Sequence, residues 1–197
     1  ILAAAVAFSL WRKHKTNFTR TNNIVLPLMA ANICVIGIGS FLFHTLATHW
    51  AMLADVIPIY IYKVLLLLLY PILVLKFSWF KSVGLFCLFL LATYLVGVMP
   101  IDLNGSQMYL PAISMLLLFA FLHKQQYQHL DKALLIACGA FLISITLRSI
   151  DNLICPHWPI GSHFGWHLCN GFVLFFTWKS IFNQALNFPA KPDQHQP

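Results

Sequence analysis

The 197-residue chain is 60% hydrophobic and 9% charged, with a formal net charge of +7 and a mean hydropathy of +0.79. Soluble domains carry roughly 25% charged residues, so this composition excludes an ordinary soluble domain and predicts a polytopic membrane protein. Most lysines and arginines lie in short tracts between apolar runs, a pattern that argues against the basic stripe expected of a nucleic-acid-binding protein.

Seven apolar runs follow one another along the chain, and ~20 helical residues are enough to cross the hydrocarbon core. The predicted spans are 1–10, 23–46, 50–75, 83–101, 108–122, 130–154 and 163–182. In the first run the basic residues follow the apolar stretch, unlike a signal peptide, so we interpret it as a transmembrane helix truncated at its N-terminus. The expected fold is an all-α bundle of seven transmembrane helices, with a single domain over 1–186 and a polar cytoplasmic tail over 187–197.

The distribution of basic residues predicts the orientation. Outside the spans, lysine and arginine occur in the first, third and fifth loops and in the tail, whereas the other three loops contain none. The positive-inside rule therefore places the N-terminus outside and the C-terminus in the cytoplasm. We expect a multi-pass protein of a bacterial inner membrane or of a eukaryotic ER or Golgi membrane.

Five polar residues fall at the non-cytoplasmic ends of three predicted spans, where polar groups are costly. They are Ser40, His44, Asp55, His163 and His167. Ser40 and His44 are spaced i, i+4, as are His163 and His167, so each pair shares a helix face. Two histidines at this spacing can hold one metal ion, and a third from another helix would leave a fourth position for water. A lone intramembrane histidine more often packs or forms a hydrogen bond.

For the other polar residues and for two glycines the sequence supports only structural predictions. We expect solvent exposure for the loop and tail histidines, of which His49 and His157 lie on the side of the candidate site. The remaining members of this group are His14, His123, His129 and His195. Arg148 and Asp151 are interpreted as an intramembrane ion pair. The glycines at 37 and 39 are expected to permit close helix packing.

Four segments resemble the motifs of the alkaline ceramidases, in order and spacing over nearly the whole chain. They are Gly-Ser-Phe-Leu-Phe-His at 39–44, Asp-Val-Ile-Pro at 55–58, Ile-Asp-Asn-Leu-Ile-Cys at 150–155 and His-Phe-Gly-Trp-His at 163–167. These enzymes belong to a superfamily of seven-helix membrane hydrolases that also includes the adiponectin and progestin receptors and the hemolysin III proteins. Val56 departs from the family pattern, which has glutamate at that position.

The resemblance implies a zinc site and its catalytic residues. His44, His163 and His167 would be the Zn²⁺ ligands, and Asp55 and Ser40 would hold the attacking water and the developing oxyanion. Three further residues are candidates to contact and orient these ligands without binding the metal themselves: Asp151, Asn152 and His49. The implied reaction cleaves the amide of ceramide, a membrane lipid, to a sphingoid base and a fatty acid.

The family also carries an acidic calcium-binding segment before and into the first helix, to which Cys155 would be disulfide-bonded. We expect that segment, and any Ca²⁺ site, to precede Ile1 in the full-length protein. Two alternatives stay open at this point. One is a superfamily hydrolase or receptor-like protein acting on another lipid, and the other is a non-enzymatic membrane protein that binds haem or carries metal ions or protons.

Overall fold

The computed structural model describes residues 1–100 and 103–188, and within them the chain is all-helical, as predicted. Its α-helices are α1 (Leu2–His14), α2 (Arg20–Leu46), α3 (His49–Leu73), α4 (Trp79–Gly97), α5 (Leu110–Tyr127), α6 (Lys132–Ile154) and α7 (His163–Asn187). Short 3₁₀ turns lie at Lys15–Asn17 and Ser106–Tyr109. The end of the predicted fourth span at Ile101, the predicted turn at Asp102 and most of the predicted tail, with His195, lie outside the described residues.

Five of the described helices are long and apolar enough to cross a membrane: α2, α3, α4, α5 together with the preceding 3₁₀ turn, and α6. With 13 residues, α1 is shorter than the ~20 that a span needs. Although α7 has 25 residues, the polar side chains of His163, His167, Asn170 and Lys179 lower its hydropathy. The five helices suit a multi-pass membrane protein, and the seven-span bundle stays a prediction.

Side-chain caps determine where three helices begin. Thr19, Ser78 and Asp131 are the N-caps of α2, α4 and α6. The Asp131 carboxylate accepts a hydrogen bond of 2.9 Å from the backbone N–H of Ala133, which satisfies a donor that the first helical turn leaves free. Because Ser78 starts α4, that helix begins at Trp79, earlier than the predicted start at residue 83.

The prediction that His123 is solvent-exposed is wrong. Because α5 continues to Tyr127, beyond the predicted end at residue 122, His123 lies in the last turns of the helix and is only 2% exposed. Its Nδ1 lies 3.2 Å from the carbonyl oxygen of His129, so the buried ring has a hydrogen-bond partner.

The chain forms two compact units, and the boundaries between them fall inside α3 and α7. The described part of the first unit comprises residues 1–63 and 178–188. In this unit α1, whose Ala4 and Ala7 are buried, packs on α2, and the fully buried Trp178 donates a hydrogen bond of 2.9 Å from its indole to the Leu26 carbonyl. The Trp178 ring stacks on Phe182, with centroids 5.0 Å apart.

The second unit comprises residues 64–177 and has an aromatic core. The rings of Tyr70 and Phe119 stack at 4.7 Å and both side chains are fully buried. The Tyr127 hydroxyl donates a 2.6 Å hydrogen bond to the carbonyl of Val74, which ties the end of α5 to the residue after α3. The expectation of a single domain over 1–186 stays a prediction.

Candidate metal centre

The first unit brings together Ser40, His44 and Asp55, the three polar residues predicted from α2 and α3. Asp55 is only 8% exposed. Its carboxylate interacts electrostatically with His44 and forms a hydrogen bond with the Ser40 hydroxyl. Because a hydroxyl can donate to a carboxylate, the bond orients Asp55 and partly compensates for its burial.

Gly39 explains why these side chains meet. A methyl group at this position would overlap the carbonyl of Ala54, so the backbones of α2 and α3 are in direct contact there. Ser40 follows that contact on α2 and Asp55 follows it on α3. The expectation of close helix packing at Gly39 is therefore confirmed, and the packing positions the Ser40–Asp55 pair.

We expect Gly39→Ala to destabilise the protein by about 1–3 kcal/mol, because the added methyl group must push two helix backbones apart. The matched controls are Gly84→Ala and Gly139→Ala, since an added Cβ at either position meets no atom within 4 Å. These two changes should be neutral or stabilising, because alanine favours a helix by up to about 1 kcal/mol over glycine. Thermal unfolding of the detergent-solubilised protein measures the difference, and equal behaviour of all three variants would contradict the close contact.

The second unit contains the two predicted histidines at the start of α7. Their ring centroids lie 4.9 Å apart, as expected for His163 and His167 one helical turn apart. The Asp151 carboxylate of α6 receives hydrogen bonds from the backbone N–H groups of Ser162 (2.7 Å) and His163 (3.0 Å). A carboxylate at a helix N-terminus satisfies free donors and interacts favourably with the helix dipole. Asp151 thus anchors the turn that carries the histidine pair.

Asp151 is also close to the imidazole of His163, with Oδ2 3.9 Å from Nδ1. A carboxylate beside the second nitrogen of a metal-binding histidine orients the ring and makes it a stronger ligand. Gly161 makes the arrangement feasible: its φ of +65° favours glycine, and a Cβ there would lie 2.5 Å from Asp151 Oδ1.

The predicted ion pair between Arg148 and Asp151 is wrong. Among the described residues Asp151 makes an ion-pair contact with His163, whereas the Arg148 guanidinium lies over aromatic rings. The physical reason is that backbone N–H groups at the start of α7 donate hydrogen bonds to the Asp151 carboxylate, which therefore does not pair with Arg148. Spacing along α6 does not reveal this competition.

We expect Asp151→Asn to lower metal affinity ~10-fold, because the amide can still accept from the α7 backbone but carries no charge beside His163. Asp151→Ala should in addition destabilise the protein by about 1 kcal/mol through loss of the helix cap. Competition with a chelator measures the affinity and thermal unfolding the stability. Equal metal affinity in wild type and Asp151→Asn would contradict a role for the carboxylate in supporting His163.

The candidate metal ligands are three histidines: His44, His163 and His167. Together they could hold a metal ion. His44 is exposed, and the other two are partly buried. These are the three histidines that the spacing and the resemblance to the ceramidases selected.

The other candidate residues are exposed or make contacts of their own. His49 is the exposed first residue of α3, and His157 is exposed between α6 and α7. The Asn152 amide donates a 2.9 Å hydrogen bond to Asn104, which holds the loop before α5 against the end of α6. Cys155 is a free, exposed thiol 3.6 Å from Asp151 Oδ1, and local desolvation together with that carboxylate raises its pKa.

Sequence reasoning did not single out Ser144 and Asn170. The buried Ser144 hydroxyl lies 2.8 Å from Asn170 Oδ1 and 3.2 Å from the Trp166 carbonyl, so it joins α6 to α7 one turn below the histidines. A partial indication of their role was present in the sequence, because each is a polar residue inside an apolar run. Only the packing of α6 against α7 makes them partners.

The chain matches no family model, no curated protein and no solved structure.

Proposed function

We propose that the chain is a multi-pass, zinc-dependent hydrolase that cleaves the amide bond of ceramide or a related N-acyl lipid. The observation that carries the proposal is the group of three histidines that could hold a metal ion, namely His44, His163 and His167. A buried carboxylate that interacts with one of these histidines adds the acid–base group that hydrolysis needs.

The donor set fits zinc in its catalytic form. Three imidazoles with a free fourth position are typical of catalytic zinc, whereas structural zinc sites have four protein ligands. Neutral imidazole also binds other transition metals, so the choice of zinc rests on the reaction proposed here. When bound, zinc supplies Lewis acidity and lowers the pKa of water at that position to about 7.

Asp55 and Ser40 provide the remaining chemistry. The Asp55 carboxylate accepts a proton from the attacking water and delivers it to the nitrogen of the leaving amine, so that an amine and a carboxylic acid result. Ser40 holds Asp55 in place through its hydrogen bond. The oxyanion role expected for Ser40 from the sequence requires its hydroxyl to turn toward the substrate.

A membrane lipid suits this site as substrate. His44 and Asp55 lie close to the ends of two helices that are apolar and long enough to span a bilayer. An amide at the boundary between headgroups and acyl chains would lie at this depth. The charge distribution of the loops supports a site on the non-cytoplasmic side, and the resemblance to the alkaline ceramidases supports ceramide.

The test combines metal analysis with turnover of a panel of N-acyl lipids by the purified full-length protein. We expect about one zinc ion per chain and release of fatty acid from ceramide. Turnover of another N-acyl lipid alone would support the superfamily alternative. A haem Soret band without zinc would contradict the proposal and favour a cytochrome-like function.

Removal of the metal is expected to abolish turnover reversibly. Dialysis against a strong chelator should reduce fatty-acid release to background, and stoichiometric zinc should restore it, because the water and the carbonyl lose their activating charge. Calcium added alone should leave the zinc-depleted protein inactive. Full activity after verified removal of zinc would rule out a zinc hydrolase.

A further inference from the structure

We propose that Arg148, Trp166 and Ser106 form a subsite that binds the oxyanion of a lipid, namely a carboxylate or a phosphate. All three residues belong to the second compact unit. The subsite requires neither a bound metal nor turnover, so it is independent of the proposed hydrolysis.

Arg148 brings a positive charge that no described residue neutralises. Its guanidinium carbon lies 4.9 Å from the centroid of the Trp166 ring and 5.7 Å from that of Tyr109. Its buried Nε has no hydrogen-bond partner within residues 1–100 and 103–188, and the Asp151 carboxylate bonds to the start of α7. Since Arg148 lies on a helix that could cross a membrane, an uncompensated guanidinium is costly and calls for an anionic partner.

Two further donors without partners accompany the guanidinium. Trp166 is only 7% exposed, and its buried indole nitrogen has no hydrogen-bond partner among the described residues. Ser106 is fully buried, and its hydroxyl also lacks one. The loop that carries Ser106 reaches Arg148, because a Cβ on Gly105 would lie 3.6 Å from Nη2 of the guanidinium. Buried polar groups without partners are rare in folded proteins and call for a ligand or water.

The chemistry of these donors selects the ligand class. Guanidinium and indole N–H groups donate but cannot accept, and the hydroxyl can add a third donated bond. Such a set matches a group with several acceptor oxygens and a negative charge, and guanidinium binds carboxylates and phosphates with two parallel hydrogen bonds. A cation accepts no hydrogen bond and a neutral amine accepts only one, so either would leave donors of this set unsatisfied.

The position of Trp166 links the subsite to the histidine pair. Its ring centroid lies 5.1 Å from that of His163 and 4.3 Å from that of His167. An oxyanion bound at Arg148 would therefore lie beside the start of α7. Two sources of the oxyanion fit this place: the carboxylate of a free fatty acid, and the phosphate of a lipid headgroup.

The test measures binding to the full-length protein in neutral detergent after chelation of metals. Isothermal titration compares three amphiphiles with the same chain, which are oleate, oleyl phosphate and oleyl alcohol. We expect at least one anion to bind ~10-fold or more tightly than the alcohol, because a hydrogen bond between charged groups is roughly twice as strong as a neutral one. The preferred anion identifies the source, and competition by inorganic phosphate distinguishes a free from a lipid-borne phosphate.

Arg148→Gln should abolish the preference for the anion, and Trp166→Phe should weaken it ~5-fold by removing one donor while keeping an aromatic ring beside the guanidinium. Arg12→Gln, which removes an exposed charge at the end of α1, is the matched control and should keep the wild-type preference. Wild-type protein that binds the alcohol as tightly as both anions would overturn the subsite, because water alone would then satisfy the donors. Retention of the full preference in Arg148→Gln would also overturn it. If that variant fails to fold, an unchanged preference in Trp166→Phe has the same consequence.

Discussion

Replacement of both His163 and His167 by alanine is expected to abolish zinc binding and amide turnover together. The double variant leaves His44 as the single imidazole of the cluster, and one imidazole cannot hold zinc against water and buffer. Since the metal contributes several kcal/mol to the reaction and 1.36 kcal/mol corresponds to a tenfold rate change, turnover should fall by ~10³-fold or more. Elemental analysis and fatty-acid release measure the two effects on the same preparation.

The fold should survive this change. The hydrogen bond from residue 163 to Asp151 comes from the backbone N–H, which alanine retains, and alanine is a strong helix former. His129→Ala is the matched control, because it removes an exposed imidazole from the same unit and keeps the carbonyl that contacts His123. Zinc at wild-type stoichiometry in the double variant would refute the metal site.

Asp55→Asn is expected to lower turnover by ~10²–10⁴-fold without loss of zinc. The amide has nearly the same shape as the carboxylate and can still accept a hydrogen bond from Ser40, but it cannot take up a proton from water. The loss should therefore appear in kcat, while zinc content and thermal stability stay close to wild type. Ser40→Ala should give a smaller decrease, because Asp55 would lose its orientation and keep its charge.

Asp131→Asn controls for the removal of a buried carboxylate. Asp131 is as buried as Asp55 and caps α6, and asparagine is an equally good cap. This variant should keep wild-type turnover. If Asp55→Asn retained full activity, Asp55 would not be the acid–base group; if it lost its zinc, the carboxylate would act by supporting the metal site.

Local spacing predicted the pairs that lie on one helix. The intervals from Ser40 to His44 and from His163 to His167 are four residues, so helical periodicity alone places each pair on one face. Spacing did not predict the partners of Arg148 and Asp151 correctly. Both lie on α6, yet the Asp151 carboxylate bonds to the start of α7 and the guanidinium packs on aromatic rings. Competition between partners on different helices depends on tertiary packing, which periodicity does not encode.

Composition and hydropathy by themselves predicted the all-helical class and the helices long and apolar enough to cross a membrane, because lipid leaves an apolar chain with few ways to satisfy its backbone. Residue type and spacing also selected the three histidines. The tertiary structure alone decided which groups meet: α2 and α3 touch at Gly39 because no side chain separates them, and this contact brings Ser40 to Asp55. It also decided that Asp151 anchors α7, because this contact joins residues from different helices. Packing likewise leaves hydrogen-bond donors of Arg148 and Trp166 without a partner in the part of the chain that the structure describes.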